Sequence, residues 1–271
     1  MGDLSSNERK TGVLFGFFQQ LLTVASKFET NKIVFCFDSS KSYRKKIYPE
    51  YKNNRKKELT KGEVAALSNL YSQMDDLRVT ILPALGFKNI FISTGYEADD
   101  LIAYTRDQNM ETVCPFIIVG SDNDLLQLIT YDCKVWDGKS LVDFDAMSSR
   151  IDGLAPVLWR EIKAMAGCPG DNVVGIAGVG EKSAVKYLKG TLDSKKYDDI
   201  KNDLTKGGGI IRGNRELVYL PFRGSKTPDC RIRMDKLFVK KDWIGIFADY
   251  DFISFLQKEK FSKFVETFKL K

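Results

Sequence analysis

The chain has 271 residues, of which 43% are hydrophobic and 29% charged, a composition typical of a soluble globular protein with a sizeable core. It contains no histidine, which excludes Ser-His-Asp and Cys-His catalysis and histidine-bound zinc, so its chemistry must use carboxylates, lysines or metal ions. The formal net charge of +6 is concentrated in residues 41–61, where nine basic residues stand against two acidic ones.

No apolar run reaches the length of about 20 residues that a membrane helix needs. Residues 1–10 are polar, so we expect neither a membrane anchor nor a signal peptide. The five cysteines are scattered and odd in number: Cys36, Cys114, Cys133, Cys168 and Cys230. This pattern favours a reducing compartment and excludes a Cys-x-x-Cys zinc site.

The first predicted helix covers residues 11–28, where apolar side chains recur at helical spacing. An apolar strand over 33–37 follows it and ends at Asp38. Next comes the basic segment 41–61, which contains three tyrosines. A charge run alone is most often a solvated face. Because aromatic rings stack on bases while Lys and Arg follow the phosphate backbone, the tyrosines favour single-stranded nucleic acid as a ligand.

Helices and strands alternate after the basic segment. We predict an amphipathic helix over 63–82, a short strand over 86–93, a helix from Glu97, a strand over 116–119 and a helix from Asp124. This alternation indicates βαβ units, so the expected fold class is α/β with a mainly parallel sheet flanked by helices.

Acidic residues cluster at two places in this alternation. Glu97, Asp99 and Asp100 open one helix, and Asp122 and Asp124 follow the strand that ends at Val119. Single acids at such positions are usually helix caps or partners of the helix dipole. The density is harder to explain in that way, because two charges about 5 Å apart repel by roughly 3 kcal/mol at an effective dielectric of about 20. Oxygen ligands select Mg²⁺ or Mn²⁺, and a pair of such ions can clamp a phosphodiester for hydrolysis.

Residues 159–188 contain a glycine-rich stretch with two possible interpretations. It is not a P-loop, because Glu181 separates Gly180 from Lys182, and it lacks the third glycine of a dinucleotide fingerprint. We predict a helix ending at Ala166, a glycine hairpin and a second helix from Lys182, an arrangement that lets backbone amides approach a phosphate. A plain bend between two helices remains the alternative.

The remaining elements indicate structure rather than chemistry. Residues 195–206 are lysine-rich, 207–209 are three glycines that mark a turn, and 214–220 are predicted as helical. Apolar side chains at helical spacing near the carboxyl end are expected in the core: Phe252, Phe255, Leu256, Phe261, Phe264 and Phe268.

Four motifs together resemble those of the 5′-nuclease superfamily, which comprises bacteriophage flap endonucleases and 5′ to 3′ exonucleases and the 5′-nuclease domain of bacterial DNA polymerase I. The run Gly95 to Asp100 is similar to Gly-x-Glu-Ala-Asp-Asp, and Asp122 with Asp124 to the second acidic pair. The runs Tyr48 to Arg55 and Gly170 to Lys182 are similar to the family's Tyr-Pro-x-Tyr-Lys-x-x-Arg and glycine hairpin.

The resemblance implies a PIN-like α/β core over 1–155 with a helical arch at about 41–61. It also implies a helix-hairpin-helix (H3TH) DNA-binding region over 156–271, with K⁺ at the hairpin and Mg²⁺ or Mn²⁺ at two sites. The implied metal ligands are Asp38, Glu97, Asp99, Asp100, Asp122, Asp124 and Asp171. The implied catalytic contacts to the scissile phosphate are Lys52 and Arg55, and the implied DNA-binding residues are Arg44, Tyr51, Gly178, Gly180 and Lys182.

Two positions depart from the family pattern. Members begin with an apolar strand ending in Asp-Gly, whose aspartate is a metal ligand, whereas Asp3 has no apolar run before it. Either the sequence starts downstream of that strand or one ligand is lost. Cys168 stands where the family usually has another aspartate, three residues before the one matched by Asp171, and a thiol is a poor ligand for Mg²⁺. We therefore expect the second metal site to be weakened.

The leading hypothesis is a divalent-metal-dependent, structure-specific 5′ nuclease, a flap endonuclease and 5′ to 3′ exonuclease of DNA replication or repair. Its expected partners are DNA with a 5′ flap or free 5′ end and a replicative polymerase. We expect a monomer in the cytoplasm, or in the host cytoplasm for a viral protein. The alternatives are a catalytically impaired, structure-specific DNA-binding protein and a PIN-type ribonuclease.

Overall fold

The computed structural model describes residues 5–6, 9–55, 59–112 and 115–271. Asp3, Cys114 and positions 56–58 of the predicted arch lie outside these residues. The chain forms two compact units. Unit 1 comprises Met1–Phe35, Glu58–Phe91 and Ile232–Lys271, and unit 2 comprises Cys36–Lys57 and Ile92–Arg231. The domain division predicted at residue 155 stays a prediction.

Helices make up most of the described chain. The α-helices are α1 Gly12–Lys27, α2 Tyr43–Ile47, α3 Lys61–Asp76, α4 Leu82–Ala84, α5 Ala98–Asn109, α6 Phe144–Arg150, α7 Trp159–Ala166, α8 Glu181–Leu188, α9 Lys195–Thr205, α10 Ile210–Val218, α11 Lys240–Asp249, α12 Ile253–Leu256 and α13 Lys258–Phe268. A π-helical turn, Leu77–Ile81, joins α3 to α4. The 3₁₀ helices are Asn53–Arg55, Asn123–Leu128, Pro156–Leu158 and Pro169–Asp171.

The described strands are short and belong to four separate sheets. They are β1 Ser5–Ser6, β2 Arg9–Lys10, β3 Phe35–Cys36, β4 Ile90–Phe91, β5 Phe116–Val119, β6 Cys133–Trp136, β7 Leu141–Val142, β8 Gly167–Cys168 and β9 Val173–Val174. The largest sheet has the order β5-β6-β7, with β5 and β6 parallel and β7 antiparallel to β6. The predicted mainly parallel sheet is therefore not confirmed, because the apolar runs over 33–37 and 86–93 each supply only a two-residue strand.

Aromatic side chains build the core of unit 1. Helix α1 buries one face, and its Phe18 packs edge-on against Phe247 with ring centroids 5.0 Å apart. Trp243 packs on Phe268 at 4.7 Å. The prediction that the carboxyl-terminal phenylalanines pack in a core is confirmed for Phe252, Phe255, Phe264 and Phe268, which are all buried. A capping box formed by Thr60 and Glu63 begins α3.

In unit 2, strands β5 and β6 and helices α5 to α10 share one hydrophobic core, to which each of these elements contributes buried residues. Helix α7 contributes Trp159 and Ile162, both almost fully buried. Asn214 of α10 connects two neighbouring segments, because its side chain donates 2.9 Å hydrogen bonds to the carbonyls of Ala164 and Val174. These packed elements position the acidic residues that follow β3 and β5.

Most predicted helices are observed with shifted ends. The helix predicted over 214–220 is α10, which begins earlier at Ile210 and ends at Val218. The helix predicted from Asp124 is a 3₁₀ helix, Asn123–Leu128. Within the described residues, no helix is long and apolar enough to cross a membrane.

Candidate active site

The predicted acids sit at the ends of elements in unit 2. Asp38 follows β3, and its Oδ1 accepts a 2.7 Å hydrogen bond from the backbone N–H of Ala98 at the start of α5. Asp122 follows β5 and caps the next 3₁₀ helix by accepting from the N–H of Asp124 at 2.8 Å. The capping role considered from the sequence for Asp122 is therefore observed, and Asp38 accepts a comparable hydrogen bond at the start of α5. Each uses one carboxylate oxygen, which leaves the other available for a ligand.

Three acids have no cationic partner within the residues that the structure describes. We call Asp38, Asp99 and Asp122 the uncompensated acids. Burial raises the pKa of Asp99 to about 7, and repulsion from Asp122 and then Asp38 adds to this, while Lys52 opposes it. Negative charge is therefore concentrated at this point beyond what the neighbouring side chains offset.

The uncompensated acids have the donor chemistry of a hard divalent cation, because they offer only carboxylate oxygens. As they are placed, no three cysteine, aspartate or glutamate side chains in the described part of the chain lie close enough to ligate one ion. Burial is the main cause of the raised pKa of Asp99, and the charges of Asp122 and Asp38 add to it. A cation held by these carboxylates would offset that repulsion.

The raised pKa of Asp99 predicts that the stability of the metal-free protein depends on pH. This pKa is about 7 in the folded chain and near 3.8 in the unfolded chain, so between these values the folded state holds the additional proton. Stability contributed by this group is therefore lost as pH rises through this window. Thermal melts in a chelator should show this loss, and Mg²⁺ should raise Tm more at about pH 8 than at about pH 5. In Asp99→Asn, the increase in Tm caused by Mg²⁺ should be similar at the two pH values. An increase that still differs as in the wild type would contradict the raised pKa of Asp99 as its cause.

Three other acids each have a cation of their own, and we call them the paired acids. Lys52 Nζ lies 2.9 Å from Glu97 Oε2, and Lys163 Nζ lies 3.4 Å from Asp124 Oδ1. The third pair joins the guanidinium of Arg55 to the carboxylate of Asp171. The seven predicted metal ligands thus differ in whether a cationic side chain is paired with them.

The predicted phosphate contacts Lys52 and Arg55 belong to a segment that is tied to the 3₁₀ helix Pro169–Asp171. Lys52 N–H donates to the Asp171 carbonyl at 2.8 Å, and Arg55 Nε donates to the Gly170 carbonyl at 3.1 Å. Asn54 Nδ2 reaches the Pro169 carbonyl at 2.7 Å. Both cations therefore lie directly beside the acidic group, although the Arg55 side chain remains 57% exposed.

Asp100 and Arg44, predicted as a metal ligand and a DNA-binding residue, form a buried ion pair with each other. Asp100 is 0% exposed and Arg44 2%. The guanidinium donates to both carboxylate oxygens, at 2.6 and 2.8 Å. The same oxygens accept from the N–H groups of Glu97 and Phe222 at 3.0 and 2.8 Å. Both Asp100 oxygens are thus occupied and Arg44 is buried with them, so the structure favours a structural role for the pair.

Tyr51 also differs from its prediction as a DNA-binding residue. Its ring is buried, so it cannot stack on a base. Its hydroxyl lies 3.1 Å from Glu97 Oε2 and 3.2 Å from Asp171 Oδ2. Burial raises the pKa of the phenol, which keeps it neutral beside these carboxylates. Tyr51 therefore positions two of the paired acids.

The glycine stretch forms a loop between helices α7 and α8. Gly167 and Gly175 cross so closely that a side chain on either would strike the backbone of the other segment. Ile176 and Val179 are buried and anchor the loop, and Ile176 N–H donates to the Met165 carbonyl at 2.9 Å. The three predicted phosphate contacts are all exposed on this loop and at the start of α8: Gly178, Gly180 and Lys182. Binding of DNA or K⁺ there stays a prediction.

Lys163 is the residue at this site that the sequence did not indicate. It lies on α7, and its ammonium contacts Asp124 across 39 positions of the chain, so no local spacing connects the two residues. Burial lowers the pKa of Lys163, but the charge of the Asp124 carboxylate raises it, and the net shift is upward. Its side chain is therefore a permanent cation beside the paired acids.

Residues 3–152, more than half of the chain, match the family model described as "5′-3′ exonuclease, N-terminal resolvase-like domain". The chain is 30% identical over 236 residues to a 5′-3′ exonuclease of Buchnera aphidicola, a match that covers 84% of this chain and 73% of that protein. It is 31% identical over 193 residues to DNA polymerase I of Chloroflexus aurantiacus, covering 68% of this chain and 19% of the relative. The match thus spans less than a quarter of that polymerase.

Solved structures support the fold. The bacteriophage T5 D15 protein, crystallised with metal ions, superposes with a TM-score of 0.67 at 20% identity over 76% of this chain and 82% of its own. The T5 D15 flap endonuclease in a complex with DNA and metal ions gives 0.66 at 18% identity, over 97% and 92% of the two chains. The catalytic core of Rad2 with a DNA substrate gives 0.52 at 14% identity, over 90% and 81%. At these identities the likeness shows an α/β fold with many helices.

Proposed function

The chain belongs to the 5′-3′ exonuclease family with the N-terminal resolvase-like domain, and on that premise we propose that it is a divalent-metal-dependent, structure-specific 5′ nuclease. Its reactions would be flap endonuclease and 5′ to 3′ exonuclease cleavage of DNA in replication or repair. One observation supports this proposal most directly. Three uncompensated acids lie in one unit with three acids that are paired with Lys52, Arg55 and Lys163.

The uncompensated acids Asp38, Asp99 and Asp122 are the residues that would hold Mg²⁺ or Mn²⁺. When bound, such an ion polarises a phosphoryl oxygen and lowers the pKa of a coordinated water. Relatives by structure support the choice, because the T5 D15 protein was crystallised with metal ions. The hydrogen bonds from Ala98 N–H to Asp38 and from Asp124 N–H to Asp122 orient two of these carboxylates before any ligand arrives.

Lys52 and Arg55 would neutralise the charge that develops on the scissile phosphate. In the described state they are paired with Glu97 and Asp171, so they lie at the acidic group already. A substrate phosphate at this site would compete with Glu97 and Asp171 for these cations, and the planar Arg55 guanidinium can bind two phosphate oxygens at once. Tyr51, which contacts both Glu97 and Asp171, would hold the two acids as the cations turn toward the substrate.

The exposed loop at Gly178 and Gly180, together with Lys182, would bind the phosphates of the duplex arm. Backbone N–H groups at the start of α8 can donate to a phosphate without reading sequence, which suits an enzyme that recognises structure. K⁺ at this loop belongs to the same proposal. The T5 and Rad2 complexes contain DNA, which supports DNA with a 5′ flap or free 5′ end as the substrate. A replicative polymerase is the proposed partner, since several relatives are DNA polymerases I.

The proposal is tested by incubating the chain with 5′-flapped, nicked and single-stranded DNA in Mg²⁺, Mn²⁺ or a chelator. We expect cleavage near the flap junction and from a 5′ end, with either ion and not with the chelator. Tight flap binding with no cleavage under any condition would support the impaired DNA-binding protein, an alternative favoured by the thiol at Cys168. Strong preference for single-stranded RNA would support the PIN-type ribonuclease.

Lys182→Ala is expected to weaken binding of the duplex arm equally for all sequences. Removal of one phosphate contact should reduce the slope of log affinity against log salt by about 0.9. Cleavage at saturating DNA should change little, because Lys182 is exposed at the start of α8 and makes no described ion pair with the acids. Fluorescence anisotropy at several salt concentrations measures the slope. Lys139→Ala, at an exposed turn between β6 and β7, is the matched control. Equal slopes for the two variants would argue against a phosphate contact at Lys182.

A further inference from the structure

Lys163 is fixed at the paired acids by its position on a buried helix. It lies one turn after Trp159, which is 1% exposed, and its ammonium lies 5.7 Å from the centre of the Trp159 ring. The side chains of Lys163 and Asp124 are only 14% and 19% exposed, and Nζ and Oδ1 are 3.4 Å apart. A lysine held in this way keeps its charge at one point, unlike the mobile lysines of a surface.

Cys168 offers no hard donor to the same group. The residue is 5% exposed, and its thiol is a soft ligand that suits Mg²⁺ and Mn²⁺ poorly. Burial, followed by repulsion from Asp124, raises the pKa of the thiol to about 12, although Lys163 opposes this. The sulfur therefore stays protonated and adds no negative charge.

The acids fall into two groups that differ in whether a neighbouring side chain offsets their negative charge. Asp124 and Asp171 already have cations, Lys163 and Arg55, whereas Asp38, Asp99 and Asp122 have none in the described residues. A divalent ion at Asp124 would face the Lys163 ammonium and would find one oxygen donor fewer because of Cys168. Like charges at such distances repel strongly in a partly buried site.

We propose that Lys163 is the resident cation of Asp124, so that the chain holds one divalent ion, at the uncompensated acids, and no second ion at Asp124 and Asp171. The inference rests on the proposed function only for the identity of the first site. Lys163 is in this view a positioning residue that acts through Asp124. Its ammonium keeps this carboxylate in place without a metal.

The test counts bound Mn²⁺ by electron paramagnetic resonance of the free ion, with the full chain and no DNA. Moderate salt suppresses weak binding at the surface. We expect one Mn²⁺ per wild-type chain at saturation. The double variant Lys163→Gln/Cys168→Asp removes the internal cation and supplies a carboxylate, so its count should rise to two. Lys163→Arg retains the cation and should stay at one.

The matched control is Lys189→Gln, which removes the same charge from another ion pair of unit 2, with Asp152 at 2.5 Å. Its count should stay at one. Two Mn²⁺ per wild-type chain, or a count of one in a folded double variant, would overturn the proposal. Circular dichroism checks folding, and if the double variant does not fold, the wild-type and Lys163→Arg counts decide.

These outcomes are separate from those that test the proposed function. A chain that binds one Mn²⁺ but cleaves no DNA would contradict the nuclease and leave the role of Lys163 intact. A chain that cleaves flapped DNA with two Mn²⁺ bound would contradict the role of Lys163 and leave the nuclease intact.

Discussion

Asp122→Asn is expected to lower Mg²⁺-dependent cleavage of a 5′-flapped DNA by roughly a thousandfold or more. The carboxylates of the uncompensated acids would each neutralise part of the charge of the bound ion. A metal ion stabilises the transition state by several kcal/mol. Each factor of ten in rate corresponds to about 1.4 kcal/mol. The amide of asparagine keeps an oxygen at this position but removes the negative charge that repels Asp99. Initial rates at saturating DNA measure the effect.

The choice of asparagine separates catalysis from folding. Asp122 accepts a 2.8 Å hydrogen bond from the N–H of Asp124 and so caps the 3₁₀ helix Asn123–Leu128. Asparagine caps as well as aspartate, whereas alanine loses this bond at a cost of about 1 kcal/mol. Asp122→Asn should therefore have nearly wild-type stability, and Asp122→Ala should be both inactive and somewhat less stable.

A second readout and a control complete this prediction. Asp122→Asn should also weaken Mn²⁺ binding, and it should lower the pKa of Asp99 by removing the neighbour that repels it most. Asp145→Ala is the control, because it removes an exposed acid from the first turn of α6 in the same unit. Full activity in Asp122→Asn, or equal losses in the two variants, would remove Asp122 from the metal site.

Local spacing was sufficient to predict much of unit 2. The apolar run of β5 and the acids that follow it are adjacent in sequence, so the position of Asp122 at the end of a strand could be predicted. The helix after Glu97 and the pair of helices around the glycine loop were predicted in the same way. In each case the signal and the structure lie within a few residues of each other.

The state of each acid could not be predicted, because it depends on partners that are distant in sequence. Asp99 and Asp100 are neighbours in one motif, yet one lacks a cationic partner and the other is buried with Arg44, 56 residues earlier. Lys163 finds Asp124 only because α7 packs against the segment that follows β5. A sequence motif shows where carboxylates occur, and packing decides which of them keep an oxygen atom available to bind a ligand.

Packing between distant residues also explains why the side chains of the basic segment differ in their surroundings. Lys, Arg and Tyr interleaved over 41–61 predict a nucleic-acid surface, but the segment contains side chains with different roles. Arg44 and Tyr51 are buried and hold acids in place, whereas Lys52 and Arg55 retain exposed surface beside the site. Composition cannot distinguish a cation that faces a phosphate from one that completes a core.

Arg44→Met is expected to destabilise unit 2 by about 3–5 kcal/mol, the usual effect of removing one partner of a buried ion pair. The methionine fills a similar volume, but it leaves the Asp100 carboxylate at 0% exposure without its cation. The variant also loses the 2.7 Å hydrogen bond from Arg44 Nε to the Leu217 carbonyl and the contact with the Phe222 ring, 5.1 Å from the guanidinium. Equilibrium unfolding in urea measures the loss of stability. An unchanged slope of the free energy of unfolding against urea concentration would show that the folded and unfolded states keep their compactness.

The double variant Arg44→Met/Asp100→Asn distinguishes an unpaired charge from lost packing. The asparagine oxygen can still accept from the N–H groups of Glu97 and Phe222, so the cap of α5 is retained while the buried charge is removed. Replacement of both members of a buried pair is often close to neutral, so we expect most of the lost stability to return. Lys189→Met, which breaks the more exposed pair with Asp152, should cost much less than Arg44→Met. If the two single variants lose equal stability, or the double variant recovers none, Arg44 and Asp100 do not form the structural pair that removes this aspartate from the metal site.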